Sequence, residues 1–228
     1  MKIAVISTPV FQVGRNGQPT TGYAGLEVIA YHCAVGLAKK GHNVWMVAPD
    51  GSEAPGVNML HVGPERSVDD HGAFNKIWQH LLGMDCLVDH SWGKHVLLLK
   101  AEGKLKCPSL SVLHAPVNTM LTKMPPVEKP CFVCISEDQR QHFEGLFSPA
   151  QARVCSNGID MDMYKPLGMP RSDRFLFLAR FSSIKGADLG IDACKLHGLG
   201  LDLIGDTQIT NEPDYVNRCK RMADGKQI

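Results

Sequence analysis

Short apolar runs rich in β-branched residues alternate with segments of helical period along this chain, and few folds accept that pattern. Residues 2–7 (KIAVIS) predict a parallel strand buried on both faces. Residues 26–40 carry Leu26, Ile29, Ala30, Cys33, Leu37 and Ala38 at helical spacing. Lys39 and Lys40 suit the negative end of that helix, and Gly41 suits its termination. Residues 43–48 (NVWMVA) follow as a second strand, which completes a βαβ unit with a right-handed crossover. Further strands are predicted at 57–62, 86–90, 109–114, 132–136 and 152–156. Helices are predicted at 74–82, 94–101 and 137–147, the last capped by Ser136. This alternation specifies an α/β fold built on a doubly wound parallel sheet.

Residues 157–171 are rich in Gly, Pro, Met and Asp and read as a linker. A strand at 174–180 (RFLFLAR), a helix at 188–197, a strand at 201–204 and a helix at 214–223 follow. The chain thus divides into a Rossmann-like domain at 1–156, a linker at 157–171 and a partial second Rossmann-like domain at 172–228. Strand-helix-strand-helix is half of a doubly wound domain and leaves a sheet edge and face uncovered. The expectation is a truncated or split second domain, completed by a homodimer or another partner chain.

Lys and Arg number 24 against 23 Asp and Glu, so no net field draws the chain to nucleic acid. The early apolar run is too short for a secretory leader, and no run reaches the length that spans a bilayer. A cytoplasmic location with eight reduced cysteines is expected, and a peripheral membrane association stays open. Cys131 and Cys134 form a C-x-x-C, but they stand in the apolar run CFVCI after Pro130 and read as a buried strand, with no second pair to complete a metal site. No metal and no cofactor are expected.

Open α/β sheets take ligands at the carboxyl ends of their strands, so the candidate residues stand there. Gly22, Tyr23, Ala24 and Gly25 lead from a long loop into a helix, whose free N–H groups suit phosphate. Gly-x-x-G after a long loop is not the dinucleotide fingerprint, which argues against a nicotinamide-dependent oxidoreductase. His114 ends one strand, and Asp89 with His90 ends another. Each histidine taken alone reads as structural more readily than functional. Arg180 closes the strand RFLFLA, which is expected to be wholly buried, and Lys185-Gly186 opens the next helix. Two permanent cations beside a helix N-terminus would cradle a diphosphate.

Four segments together resemble the retaining glycosyltransferases of family four, which have the two-domain GT-B fold. The first is Gly22-Tyr23-Ala24-Gly25-Leu26-Glu27, similar to a Gly-Gly-x-Glu loop, running on to Lys40-Gly41-His42-Asn43-Val44. The second is Ser136-Glu137, and the third is Ser156-Asn157-Gly158-Ile159-Asp160 with Tyr164 and Pro166. The fourth is Ala179-Arg180-Phe181 with Lys185-Gly186. The resemblance implies a nucleotide-diphosphate sugar as donor, an unknown acceptor and no metal. It implies that Arg180, Lys185 and Gly186 bind the donor diphosphate with the Gly22 to Gly25 loop. It places His114 near the donor sugar as the catalytic candidate, with Asp89, His90, Asn157 and Asp160 as further cleft residues. Ala24 departs from the commonest form of the loop, and the family's Glu-x7-Glu motif is absent. A non-catalytic binding module, or a subunit that needs a partner chain, is the alternative.

Overall fold

The structure is a computed structural model that describes residues 1–20, 24–115, 131–143, 151–168, 170–207 and 211–228. It divides into two compact units, Met1–Met161 and Asp162–Ile228. The division falls inside the stretch that the sequence marks as a linker.

The first unit is built on a parallel sheet. Its described strands are β1 (Lys2–Ile6), β2 (Asn43–Ala48), β3 (Asn58–His61), β4 (Cys86–Asp89), β5 (Ser109–Leu113), β6 (Cys131–Cys134) and β7 (Ala152–Val154). They lie in the order β3-β2-β1-β4-β5-β6-β7. The chain moves outward from β1 in one direction as far as β3, then returns to place β4 on the other side of β1. The β1–β4 pair, with Ile6 opposite Asp89, is therefore the topological switch point.

Alternate side chains of the strands build two layers. On one face Ile3, Val5, Val44 and Met46 pack against Ala30, Tyr31, Ala34 and Val35 of α1 (Gly25–Lys39). Gly41 follows that helix with φ +86°, a conformation a side chain resists. On the other face Ala4, Ile6 and Leu87 meet α2 (Asp70–Ile77) and α3 (His95–Ala101). The α2 helix begins four residues before the predicted start, because Asp69 caps it by accepting from Gly72 N at 2.7 Å. It ends in a 3-10 turn, Trp78–Leu81. Farther along the same layer Phe143, on α4 (Glu137–Phe143), joins Phe132, Cys134 and Ala152.

Cys134 belongs to that last cluster, while its neighbours Val133 and Ile135 pack on the α1 side. Three residues apart on one strand, Cys131 and Cys134 project to opposite faces. The C-x-x-C spacing is therefore a strand feature and cannot close on one metal ion or one disulfide.

The second unit pairs β8 (Phe175–Leu178) in parallel with β9 (Leu201–Ile204). Two helices, α5 (Ala187–Leu196) and α6 (Pro213–Met222), cover one face through Ile191, Val216 and Cys219. The β8 strand is shorter than predicted and is not buried, which corrects the expectation for RFLFLA. Phe177 packs on the helices, but Leu176 and Leu178 are 58% and 70% exposed, as is Ile204 at 55%. A pair of strands with helices on one side has no second layer to cover the other. Among the described residues no helix is long and apolar enough to cross a membrane.

Candidate functional site

Three neighbouring strands, β1, β4 and β5, deliver Thr8, the Asp89-His90-Ser91 turn and His114 to one edge of the sheet. Thr8 is fully buried and its hydroxyl donates to the carboxylate of Glu27, in the first turn of α1. Burial pushes the Glu27 carboxyl above the usual range, and the Thr8 hydrogen bond opposes that rise. The positive end of α1 adds a further reason for a carboxylate at that turn.

Asp89 is also fully buried. Its Oδ1 accepts from the Ser91 backbone N at 2.9 Å and from Ser91 Oγ at 2.5 Å. Lys94 lies under the same turn and donates to the Ser91 carbonyl. It reaches that place in a left-handed conformation, φ +49°, which costs a non-glycine residue free energy and is typical of functional loops. Asp70 Oδ2 ties the turn down by accepting from Gly93 N at 2.9 Å. Burial lowers the Lys94 pKa, and the Asp89 and Asp70 carboxylates work against that fall.

His90 and His114 meet beside this turn. His90 Nδ1 lies 2.9 Å from His114 Nε2, and the two rings meet edge to edge, 26° from parallel with centroids 5.2 Å apart. Burial is the main cause that lowers both, His90 to about 3 and His114 to about 4. Repulsion from each other (for His90) and from the Lys94 ammonium adds to it. Both rings are therefore neutral at pH 7. They can give or take one hydrogen bond at a defined nitrogen, but they are poor proton reservoirs.

Four buried polar atoms near the carboxyl ends of these strands have no hydrogen-bond partner among the described residues: Ser7 Oγ, Asp89 Oδ2, His90 Nε2 and Ser111 Oγ. Buried polar groups are nearly always paired, and strand alternation divides these four between the faces, Ser7 and His90 on the α1 side and Asp89 and Ser111 on the side of α2 and α3. Among the described residues no group of three or more His, Cys, Asp or Glu is arranged to hold a metal ion.

Of the expected site residues, the structure brings His90, His114 and Asp89 together at this edge. Gly22 and Tyr23 lie outside the described residues. Ala24 is buried immediately before α1, and Gly25 is the exposed first residue of that helix. Asn157 and Asp160 line a different part of the unit, a cavity of about 630 Å³ on the α1 side of β4, β5 and β6. Val88, Val112 and Val133 form its floor, and His90 links it to the sheet edge. Thr8 and Lys94 were not foreseen, since no local spacing announces a contact made across the sheet.

In the second unit Arg180 is half-buried and Lys185 is exposed. The backbone around Arg180 is anchored on both sides, by Ala179 N to Ile204 O at 3.2 Å and Phe181 N to Asp206 O at 2.8 Å. Lys185 ends a 3-10 turn, Ser183–Lys185, rather than opening the helix itself. Gly186 then takes φ +69° and leads into α5. The turn is held by Ser183 N donating to Glu212 Oε2 at 2.9 Å.

The model of the family described as Glycosyltransferase Family 4 matches residues 23–163. No curated protein matches the chain by sequence. Solved structures do resemble it. A glycosyltransferase from Rickettsia africae ESF-5 aligns with TM-score 0.62 and 15% identity, over 97% of this chain and 64% of that one. Sucrose-phosphate synthase from Thermosynechococcus elongatus aligns with TM-score 0.69 and 16% identity, over 100% of this chain and 69% of that one. Anabaena HepE, solved in complex with UDP and glucose, aligns with TM-score 0.64 and 16% identity, over 97% and 65%. The chain thus spans 64–69% of the length of these structures. At such identities the likeness shows the fold, which is that of GT-B proteins.

Proposed function

Because the chain belongs to glycosyltransferase family 4, we propose that it serves the transfer of a sugar from a nucleotide-diphosphate sugar to an acceptor, with retention at the anomeric carbon and without a metal ion. The observation that carries this reading is the neutral His90–His114 pair at the carboxyl end of the first sheet, with Ser7 Oγ and His90 Nε2 buried on the same face and without a partner among the described residues. That edge is where open α/β sheets take ligands. His114 there suits a sugar hydroxyl, which needs a hydrogen bond rather than a proton reservoir.

Arg180 and Lys185, with the Gly186 bend before α5, are proposed to hold the diphosphate. In the transfer the bond between the anomeric carbon and the phosphate oxygen breaks, and its electron pair leaves on the diphosphate. The acceptor oxygen bonds to the carbon on the face the diphosphate leaves, and its proton passes to the departing phosphate oxygen. Two cations and the N–H groups of a helix start stabilise the charge that appears on the leaving group. The Gly22 to Gly25 loop, which leads into the start of α1, is likewise proposed to bind phosphate. The UDP and glucose held by HepE support a nucleotide sugar as donor. Eight free thiols support a reducing compartment such as the cytoplasm.

Calorimetric titration with UDP-, GDP- and ADP-sugars tests the reading. Saturable binding to one of them, weakened at least tenfold by Arg180→Ala or Lys185→Ala, is the expected outcome. Equal affinity in the wild type and both variants removes the diphosphate assignment. A second reading has its own observation: Leu176, Leu178 and Ile204 leave an apolar face open on the second unit. It takes the chain as a binding module or a subunit that works only when a partner chain covers that face. Sedimentation that shows a monomer at high concentration counts against it.

A further inference from the structure

His114 is held at two points. Its backbone is gripped by Gln139, on α4, whose Nε2 donates to the carbonyl of Leu113 at 3.0 Å and to that of Ala115 at 3.1 Å. The same amide is itself pinned, because its Oε1 accepts from Ile135 N at 2.7 Å, and Ser136 Oγ caps the helix by accepting from Gln139 N at 3.0 Å. The ring is held separately, through the 2.9 Å contact with His90.

Only one proton occupies that contact, so the two neutral rings have two arrangements. If His114 Nε2 carries it, His90 Nδ1 is bare and the His90 proton must sit on Nε2. That nitrogen is buried without a partner among the described residues, so an N–H donor would be stranded. If His90 Nδ1 carries it, His90 Nε2 keeps only a lone pair. Buried orphan N–H groups are rarer than under-used acceptors, and the second arrangement is the cheaper. His114 Nε2 then accepts, and its own proton is forced onto Nδ1.

We propose that His90 is a positioning residue that locks His114 in the Nδ1–H form, so that His114 offers its ligand a donor. The inference deepens the assignment of His114 to the donor sugar and rests on it for its purpose. The class of ligand atom follows: an acceptor oxygen of a sugar hydroxyl or phosphate.

The test is read without nucleotide sugar. In protein labelled with 15N-histidine, long-range 1H–15N correlation spectra distinguish an Nδ1–H ring from an Nε2–H ring. The wild type should show His114 protonated at Nδ1. His90→Phe, which keeps the ring and loses the donor, should move the proton to Nε2. His90→Asn, whose amide places a donor near the old Nδ1, should restore the Nδ1 form. An Nε2–H ring in the wild type overturns the proposal even if neither variant folds. So does an Nδ1–H ring that persists in folded His90→Phe. Failure of every nucleotide sugar to bind, with the Nδ1 form present, overturns the reading of function and leaves the His90 lock established.

Discussion

The Thr8 hydroxyl donates to the Glu27 carboxylate, joining the end of β1 to the first turn of α1 through two buried side chains. Thr8→Val keeps the shape and removes the donor, leaving a buried carboxylate less well solvated. It should destabilise the first unit by about 1–3 kcal/mol in urea unfolding. Glu27→Gln should behave in the opposite sense as pH rises. The carboxyl is raised in the folded state, which therefore holds its proton more tightly than the unfolded chain does. Stability from this group is present below the unfolded value near 4.5 and is lost as pH climbs through the folded one. The glutamine variant should thus gain stability relative to wild type between pH 4 and pH 7.5. A difference that stays flat over that range removes the claim.

The histidine pair sets a second pH dependence with the other slope. Both rings are lowered from 6.5, to about 3 and about 4, so the unfolded chain binds more protons in between. Stability should fall as pH drops below 6.5, by about 1.4 kcal/mol per pH unit for each histidine. His114→Gln should remove one histidine's share of that slope. Unfolding midpoints measured at pH 7.5, 6 and 5 check it.

Arg180 and Lys185 should not be interchangeable. A planar fork can hold two phosphate oxygens at once, whereas an ammonium acts as a point charge. Arg180→Lys should weaken binding of the nucleoside diphosphate by about tenfold and Arg180→Ala by about a hundredfold, since hydrogen bonds to charged groups contribute ~1.5–3 kcal/mol. Competition binding against a fluorescent nucleotide measures both. Full affinity in Arg180→Lys would show that only the charge matters.

Gly205, just after β9, has room for no side chain. A Cβ there would overlap the carbonyl oxygen of Ala179 and crowd the Phe181 ring. Gly205→Ala should therefore push apart the two strand ends beside Arg180. A loss of at least about 1–3 kcal/mol in the stability of the second unit is expected, the usual range for overpacking. Diphosphate binding should weaken with it.

Much of this architecture can be read along the chain. Residues 43–48 and 201–204 are strands with the predicted bounds, and the helix after the glycine loop differs by one residue at each end. These elements announce themselves because burial on both faces, or on one helical stripe, leaves a local pattern. The start of α2 was misplaced because its apolar period begins with Ala73 and Phe74, while its cap, Asp69, lies outside that period. The exposure of Leu176 and Leu178 was misjudged because a run of apolar residues says nothing about whether a second layer exists to cover it. At the site, His90 and His114 were each legible as strand-end residues. Their pairing was not, since it depends on β4 and β5 lying side by side. Lys94 was hidden for the same reason, and its left-handed backbone has no signature in a lysine.

The placement of β4 beside β1 has a further consequence, for the time course of assembly. The amide of Lys2 donates to Asp85 Oδ2, a partner 83 residues later, and every bond on that side of β1 waits for the same segment. Until Cys86–Asp89 has docked, the apolar β1 strand therefore keeps one edge bare. Contacts so distant in sequence slow folding and lengthen exposure to wrong pairing. An edge of that kind is a template for pairing with a second chain for as long as β4 is away from it.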